Sequence, residues 1–388
     1  MDRRIHRLSQ GIALLALTAA LAACSSLNPF ASKPDPKTMP APLKDFRATV
    51  AIKTQWRVSL GAGDEFTFTP AVVGDSVYAA SRSGALARYD NGQEIWRINV
   101  GSSISGGVGA DANVVAVGTS KGDVLAFDSS NGKPMWTAKA SSEVLAAPAV
   151  GAGLVIVRSG DSRVFAFAQA DGKQRWVYQR AVPALTVRTN AGVVLVTGGI
   201  LAGFPGGKLV AISSTDGVTL WEVSIAQPKG ATELERIADI TSPPVLDLRN
   251  VCAVAFQGRA ACIDLSNGNN LWSRDVSSSA GLAVDSKAVY VSDDKGAVLA
   301  LDRYTGSSLW KQSALANRGL SRPVVVGNYV VVGDAQGYVH VLSRDDGSFV
   351  GRMSTDGSAI AADPQPTAKG FVVQTKNGGV YSLTLDQQ

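Results

Sequence analysis

The chain has 388 residues, 45% of them apolar and 18% charged, which suits a globular protein and is too polar for a polytopic membrane protein. The formal charge of +5 falls to +3 once the first 23 residues, with Arg3, Arg4, Arg7 and Asp2, are set aside; that excess is too small for a nucleic-acid binder. Two histidines (His6, His340) and three cysteines (Cys24, Cys252, Cys262), with no CxxC, argue against a metal centre, thioredoxin chemistry or a catalytic triad.

The chain opens on an address. Arg3, Arg4 and Arg7 precede an apolar run over 11–21, the charged-then-apolar order of a secretory signal and too short to span a bilayer. Leu21-Ala22-Ala23-Cys24 resembles the lipobox of bacterial lipoproteins, which implies a signal peptide over 1–23 and a lipid on Cys24 (palmitate among its acyl chains). By the same resemblance, Ser25 and Ser26 favour export to the outer membrane over retention in the inner one. Residues 25–45 hold Pro29, Pro34, Pro36, Pro40 and Pro42, and 24–50 reads as a lipidated N-terminus and extended tether.

From residue 51 onward one unit recurs. Trp56, Trp96, Trp136, Trp176, Trp221, Trp272 and Trp310 are separated by 40, 40, 40, 45, 51 and 38 residues. Gly92, Gly132, Gly172, Gly217, Gly268 and Gly306 each precede a tryptophan by four residues. LSRDDGSFVG (342–351) is a further copy, with Gly351 in place of tryptophan. Each repeat reads as a small-residue strand, an apolar second strand, an alternating third strand and a tryptophan strand, the unit of a β-propeller blade. The second strands are VYAAS (77–81), VVAVG (114–118), LVIVR (154–158), VVLVT (193–197), VCAVA (251–255), VYVSD (289–293), YVVVG (329–333) and FVVQT (371–375). The last repeat runs out before its tryptophan strand, and Trp56 has no strands upstream. The expected fold is therefore all-β: an eight-bladed propeller over 51–388 of four-stranded antiparallel blades. It is closed by pairing 54–58 with the C-terminal repeat at 359–385, which removes the open edge. The seven tryptophans are expected to wedge neighbouring blades together.

The VYxxxxxGxLxAxDxxxGxxxW pattern resembles the repeat of pyrroloquinoline-quinone (PQQ) dehydrogenases. Those enzymes use a vicinal cysteine pair and calcium-binding acidic residues; here Cys252 and Cys262 are ten apart and no acidic cluster stands in. The whole layout resembles the BamB family of outer-membrane lipoproteins from the β-barrel assembly machinery (Bam complex). PALTVR (183–188) and ELERIADITSPPV (233–245) resemble that family's partner-binding loops. The resemblance implies a non-catalytic scaffold without cofactor, lipid-anchored in the outer membrane and facing the periplasm of a Gram-negative bacterium. Implied partners are the POTRA domains of BamA, other subunits, and unfolded outer-membrane proteins. It implies partner contacts at Leu185, Val187, Arg188 and Asp239; Thr241 stands where the family often has a second aspartate.

Residue spacing points to the same region, because the two longest tryptophan intervals are adjacent and their extra residues are expected at 198–207 and 226–241, on a binding face. Leu185, Val187 and Arg188 are expected beside Asp239 in space. The other readings are a quinoprotein-like enzyme, which needs a quinone and metal site on the propeller axis, and a propeller binding a cell-envelope polymer, which needs exposed aromatics on one face. His340 reads as a satisfied structural histidine. Cys252 and Cys262 flank a turn: a two-residue hairpin puts them on opposite faces, a three-residue loop on one face, and the reading favours free buried thiols.

Overall fold

The computed structural model describes residues 38–387; the signal segment and Cys24 lie outside them. One compact unit spans Pro40–Gln388. The described residues form eight four-stranded antiparallel sheets and no α-helix. Blades 1 to 7 follow one another at 71–99, 104–139, 149–178, 193–224, 245–275, 281–312 and 324–354. The first strands of successive blades touch around the axis, and blades 4 and 5 share a core that includes Leu201, Leu209, Val251 and Ala253, so the blades form a ring.

Blade 8 is made from both ends of the chain. Strand Val50–Ser59 pairs antiparallel with Gly379–Gln387, from Val50 opposite Gln387 to Ser59 opposite Gly379. The start of that strand also explains the missing tryptophan of blade 7. Thr49 N–H donates to the carbonyl of Val350 at 2.9 Å, and a Cβ on Gly351 would lie 3.0 Å from the Val50 carbonyl oxygen. An indole at 351 would occupy the space that the closing strand needs.

The recurring turn and the tryptophan belong to one joint. In blade 6 the Asp302 carboxylate accepts hydrogen bonds from the backbone N–H groups of Tyr304 and Thr305, and Gly306 N–H returns to the Asp302 carbonyl at 2.8 Å. Asn and Asp favour such turns because their side chains replace the backbone partner. Gly306 sits at φ +67° against the indole of Trp272 in the preceding blade, where a Cβ would approach ring carbon Cε3 to 2.5 Å. The Trp272 Nε1–H donates to the Arg303 carbonyl at 2.8 Å. Trp96, Trp136, Trp176, Trp221 and Trp310 make the same bond to Ser129, Gln169, Ser214, Leu265 and Arg344 of the next blade. Each glycine of the GxxxW pattern thus serves the tryptophan of the blade before it.

Three local expectations are corrected. First, in blade 4 VVLV is the first strand, and Gly199–Phe204 inside the expected loop is the second. Gly198, Gly206 and Gly207 do occupy turns on either side of that strand, at positive φ, while Gly203 within it admits a close approach: a Cβ there would lie 2.3 Å from Ile240 Cγ2. The extra residues expected at 198–207 lie instead in the connection 179–192, while those expected at 226–241 do fall in the connection 225–244. Second, Cys252 and Cys262 form a disulfide. Ala255 and Arg259 close a three-residue loop, so the two cysteines stand directly opposite on one face. Third, the tether is docked ahead of residue 51. Ala41 N–H donates to the Ala316 carbonyl, Arg318 and Arg352 hold the carbonyls of Ala41 and Lys44, and Phe46 packs on Phe349 with ring centroids 5.6 Å apart. Those arginines are braced by a buried cluster: Asp334 accepts from Arg318 and His340, and Arg352 Nε donates to His340 Nδ1 at 3.2 Å.

Candidate partner-binding face

The two long connections run from the outer strand of one blade to the axis of the next, and so reach the same end of the ring. Their shape is fixed by one carboxylate. Asp239 is buried, and its two oxygens accept the N–H groups of Val187, at 2.7 Å, and Gly206, at 3.0 Å. Its own carbonyl takes Phe256 N–H at 2.8 Å. Loop 179–192 is thereby pinned at Val187 to loop 225–244. Thr189 Oγ1 adds a bond to the Thr241 carbonyl, and buried Thr241 continues to Ser279.

The pinned loop presents Leu185, 44% exposed, and Arg188. Val187 is half-buried. The Arg188 guanidinium makes two hydrogen bonds to Glu143, at 2.9 and 2.8 Å, and leans over the Phe66 ring. That pairing holds the Glu143 carboxyl below the usual carboxylate range. The second loop carries its own turn: Glu235 accepts the N–H groups of Ala231 and Thr232, and Thr232 Oγ1 accepts Glu235 N–H, a capping box. At its tip Leu234 is 66% exposed.

Beneath loop 179–192 lies Arg158, only 6% exposed. Its guanidinium stacks 5.2 Å from the centroid of the Phe204 ring. Among the described residues it has no ion-pair partner, and Nη1 has no hydrogen-bond acceptor. Burial pushes its pKa down to about 10, opposed by the charge of Asp239, so it stays cationic at neutral pH.

On the axis there is a cavity of about 530 Å³, lined in part by Pro70, Pro148, Ser242, Ser279, Arg322 and Asp363. Its one ion pair is Arg322 to Asp363 at 3.3 Å. Among the described residues, no three His, Cys, Asp or Glu side chains converge as a metal site. The disulfide belongs to the core between blades 5 and 6, away from the axial lining. The residues present do not fit a quinone held with calcium.

A family model described as outer membrane protein assembly factor BamB matches residues 82–312. The chain belongs to the BamB family. It is 43% identical to the outer membrane protein assembly factor BamB of Burkholderia pseudomallei over 382 residues, 98% of each chain. It is 45% identical to that of Pseudomonas aeruginosa, over 96% of this chain and 98% of the other. The crystal structure of BamB from Moraxella catarrhalis superposes with a TM-score of 0.81 at 28% identity, covering 86% of this chain and all of that one. A quinohemoprotein alcohol dehydrogenase from Comamonas testosteroni shares the fold, with a TM-score of 0.70 at 14% identity over 86% of this chain and 76% of its own. Membership groups the chain with assembly factors and not with the enzymes whose propeller it shares.

Of the four sequence-derived contacts, Val187 and Asp239 meet directly, and Arg188 pairs with Glu143 rather than with Asp239. Asp239 positions the loop from inside. The sequence reading missed Glu143, Arg158 and Leu234. Leu234 was within reach, as the one large apolar residue in an otherwise polar stretch from 227 to 236.

Proposed function

We propose that the protein is a lipid-anchored scaffold of the outer-membrane β-barrel assembly complex, facing the periplasm, whose loop 183–189 docks on the POTRA domains of BamA. The observation that carries this is the pinned loop. A buried carboxylate fixes the backbone at Val187, so Leu185 and Arg188 are offered to a partner with little ordering entropy left to lose. An exposed leucine beside an arginine matches the residue types that dominate interfaces. Anchoring follows from Cys24 after Leu21-Ala22-Ala23, since several acyl chains hold a soluble domain at a membrane. The scaffold would orient BamA and help unfolded outer-membrane proteins reach it.

The test is Arg188→Glu, which sets a second carboxylate against Glu143 and the partner. Affinity for a purified BamA periplasmic fragment should fall about thirtyfold, roughly 2 kcal/mol. Folding stability should change by under about 1 kcal/mol, because the Arg188 side chain is 57% exposed. Wild-type affinity in the folded variant would remove this loop as the docking site. Loss of palmitate incorporation in Cys24→Ala checks the anchor.

A further inference from the structure

Loop 179–192 covers a cavity of about 130 Å³ that runs from the surface to the core of blade 3. Exposed Thr186 and Arg188 line its outer end, and buried Arg158, Ser159 and Ser162 line its inner end. Both nearby carboxylates already accept hydrogen bonds on each oxygen. Asp239 gives its two oxygens to backbone N–H groups, and Glu143 gives both of its oxygens to Arg188. Neither is bonded to Arg158, whose Nη1 is left without an acceptor. A buried cation without a bonded partner weakens a fold, and a methionine would fill similar space at no such cost. Its position at the floor of a surface-reaching cavity, directly behind the exposed docking loop, points to a use.

We propose that this cavity receives a carboxylate side chain of the docking partner, with Arg158 as the cation that binds it. This rests on the docking reading above and specifies its chemistry: an aspartate or glutamate of the partner enters beside Arg188. The cavity volume suits a carboxyl group with one or two methylenes. A planar guanidinium is the donor that matches a carboxylate best. At the mouth the charges of the Arg188–Glu143 pair cancel, and deeper in, the charge of Asp239 offsets part of that of Arg158 without a hydrogen bond to it, so Arg158 remains the cation lining the inner end that no carboxylate has bonded.

The test uses the full chain in detergent, wild type and Arg158→Met. In one arm sodium acetate is titrated while the guanidinium ¹⁵N–H resonances are followed, the Arg158 signal being assigned by its absence in the variant. A saturable shift at Arg158 is expected. In the other arm, affinity for the BamA periplasmic fragment is measured. Arg158→Met should lose at least tenfold in affinity while its melting temperature stays level or rises, a combination that a structural arginine would not give. Acetate should also compete with the fragment. An unmoved Arg158 resonance overturns the proposal, as does a large fall in melting temperature. Acetate binding with unchanged fragment affinity would make this a free-anion site and overturn the partner assignment. Failure of the wild type to bind the fragment would remove the docking reading instead, and the acetate arm would still decide whether the cavity takes a carboxylate.

Discussion

Replacing Gly306 by alanine tests the joint between blades most directly. Two costs arise. An L-residue at φ +67° is disfavoured by about 1 kcal/mol. The new Cβ also meets the Trp272 ring at 2.5–2.7 Å, and overpacking of that kind costs about 1–3 kcal/mol. The expected loss is therefore about 3 kcal/mol. Gly327 is the control, with φ +57° and nothing within 4 Å, so Gly327→Ala should lose only the backbone part, about 1 kcal/mol. Trp272→Ala alone should cost about 3–5 kcal/mol through lost packing and the lost bond to Arg303. In that background the ring is gone and Gly306→Ala should fall back to about 1 kcal/mol, leaving a coupling of about 2 kcal/mol. Urea unfolding followed by circular dichroism, with the disulfide intact, measures all four corners. Equal costs for Gly306→Ala and Gly327→Ala, or the same cost with and without the indole, would refute the joint.

Asp239→Ala should cost about 2–4 kcal/mol by leaving the N–H groups of Val187 and Gly206 unpaired, and should weaken partner binding as well, whereas Arg188→Glu should weaken binding with little loss of stability. In a truncation series, the melting temperature is compared with that of a chain beginning at residue 40. Removal of 1–45 should lower it by loss of the strap held by Arg318 and Arg352, and removal of 1–58 should lower it far more by opening the ring. Burial lowers the pKa of His340, so below about pH 6.5 the unfolded chain takes up this proton before the folded one. Stability should thus hold above that pH and fall as pH drops through 6 toward 5, and His340→Gln should flatten this part of a melting-temperature profile.

What was legible in the sequence was whatever each blade repeats. The tryptophan, its turn and its apolar second strand solve one packing problem many times, so the fold, the blade number and the shared closing blade could be read from spacing. What was missed depends on contacts made once. The glycine-rich stretch 198–207 looks like one loop, but its middle is a strand in which Gly203 lets Ile240 pack close. Asp239 reads as a partner contact, yet it is consumed by the backbone of a loop some fifty residues earlier. The cysteine pair turned on a single residue of loop length. Arg158 ends an apolar strand and carries no pattern that would mark its burial. At the candidate face the family resemblance pointed to Leu185, Val187, Arg188 and Asp239, while the inward-facing role of Asp239 and the parts of Glu143, Arg158 and Leu234 came only from the fold.

The closing blade has a consequence for the order of events as the chain is made. A chain that emerges from its N-terminus presents strand Val50–Ser59 first, and its partner Gly379–Gln387 last. For some 337 residues between Val50 and Gln387, one edge of the closing blade waits with its backbone groups open. Joining ends so far apart costs about 5 kcal/mol of chain entropy by (3/2)RT ln n. That cost is met in one step, by the long ladder between the two strands together with the packing of blades 7 and 1 on either side. A nearly finished chain is thus an open horseshoe with two sticky ends, and its commitment to the native ring falls on the last few residues to arrive.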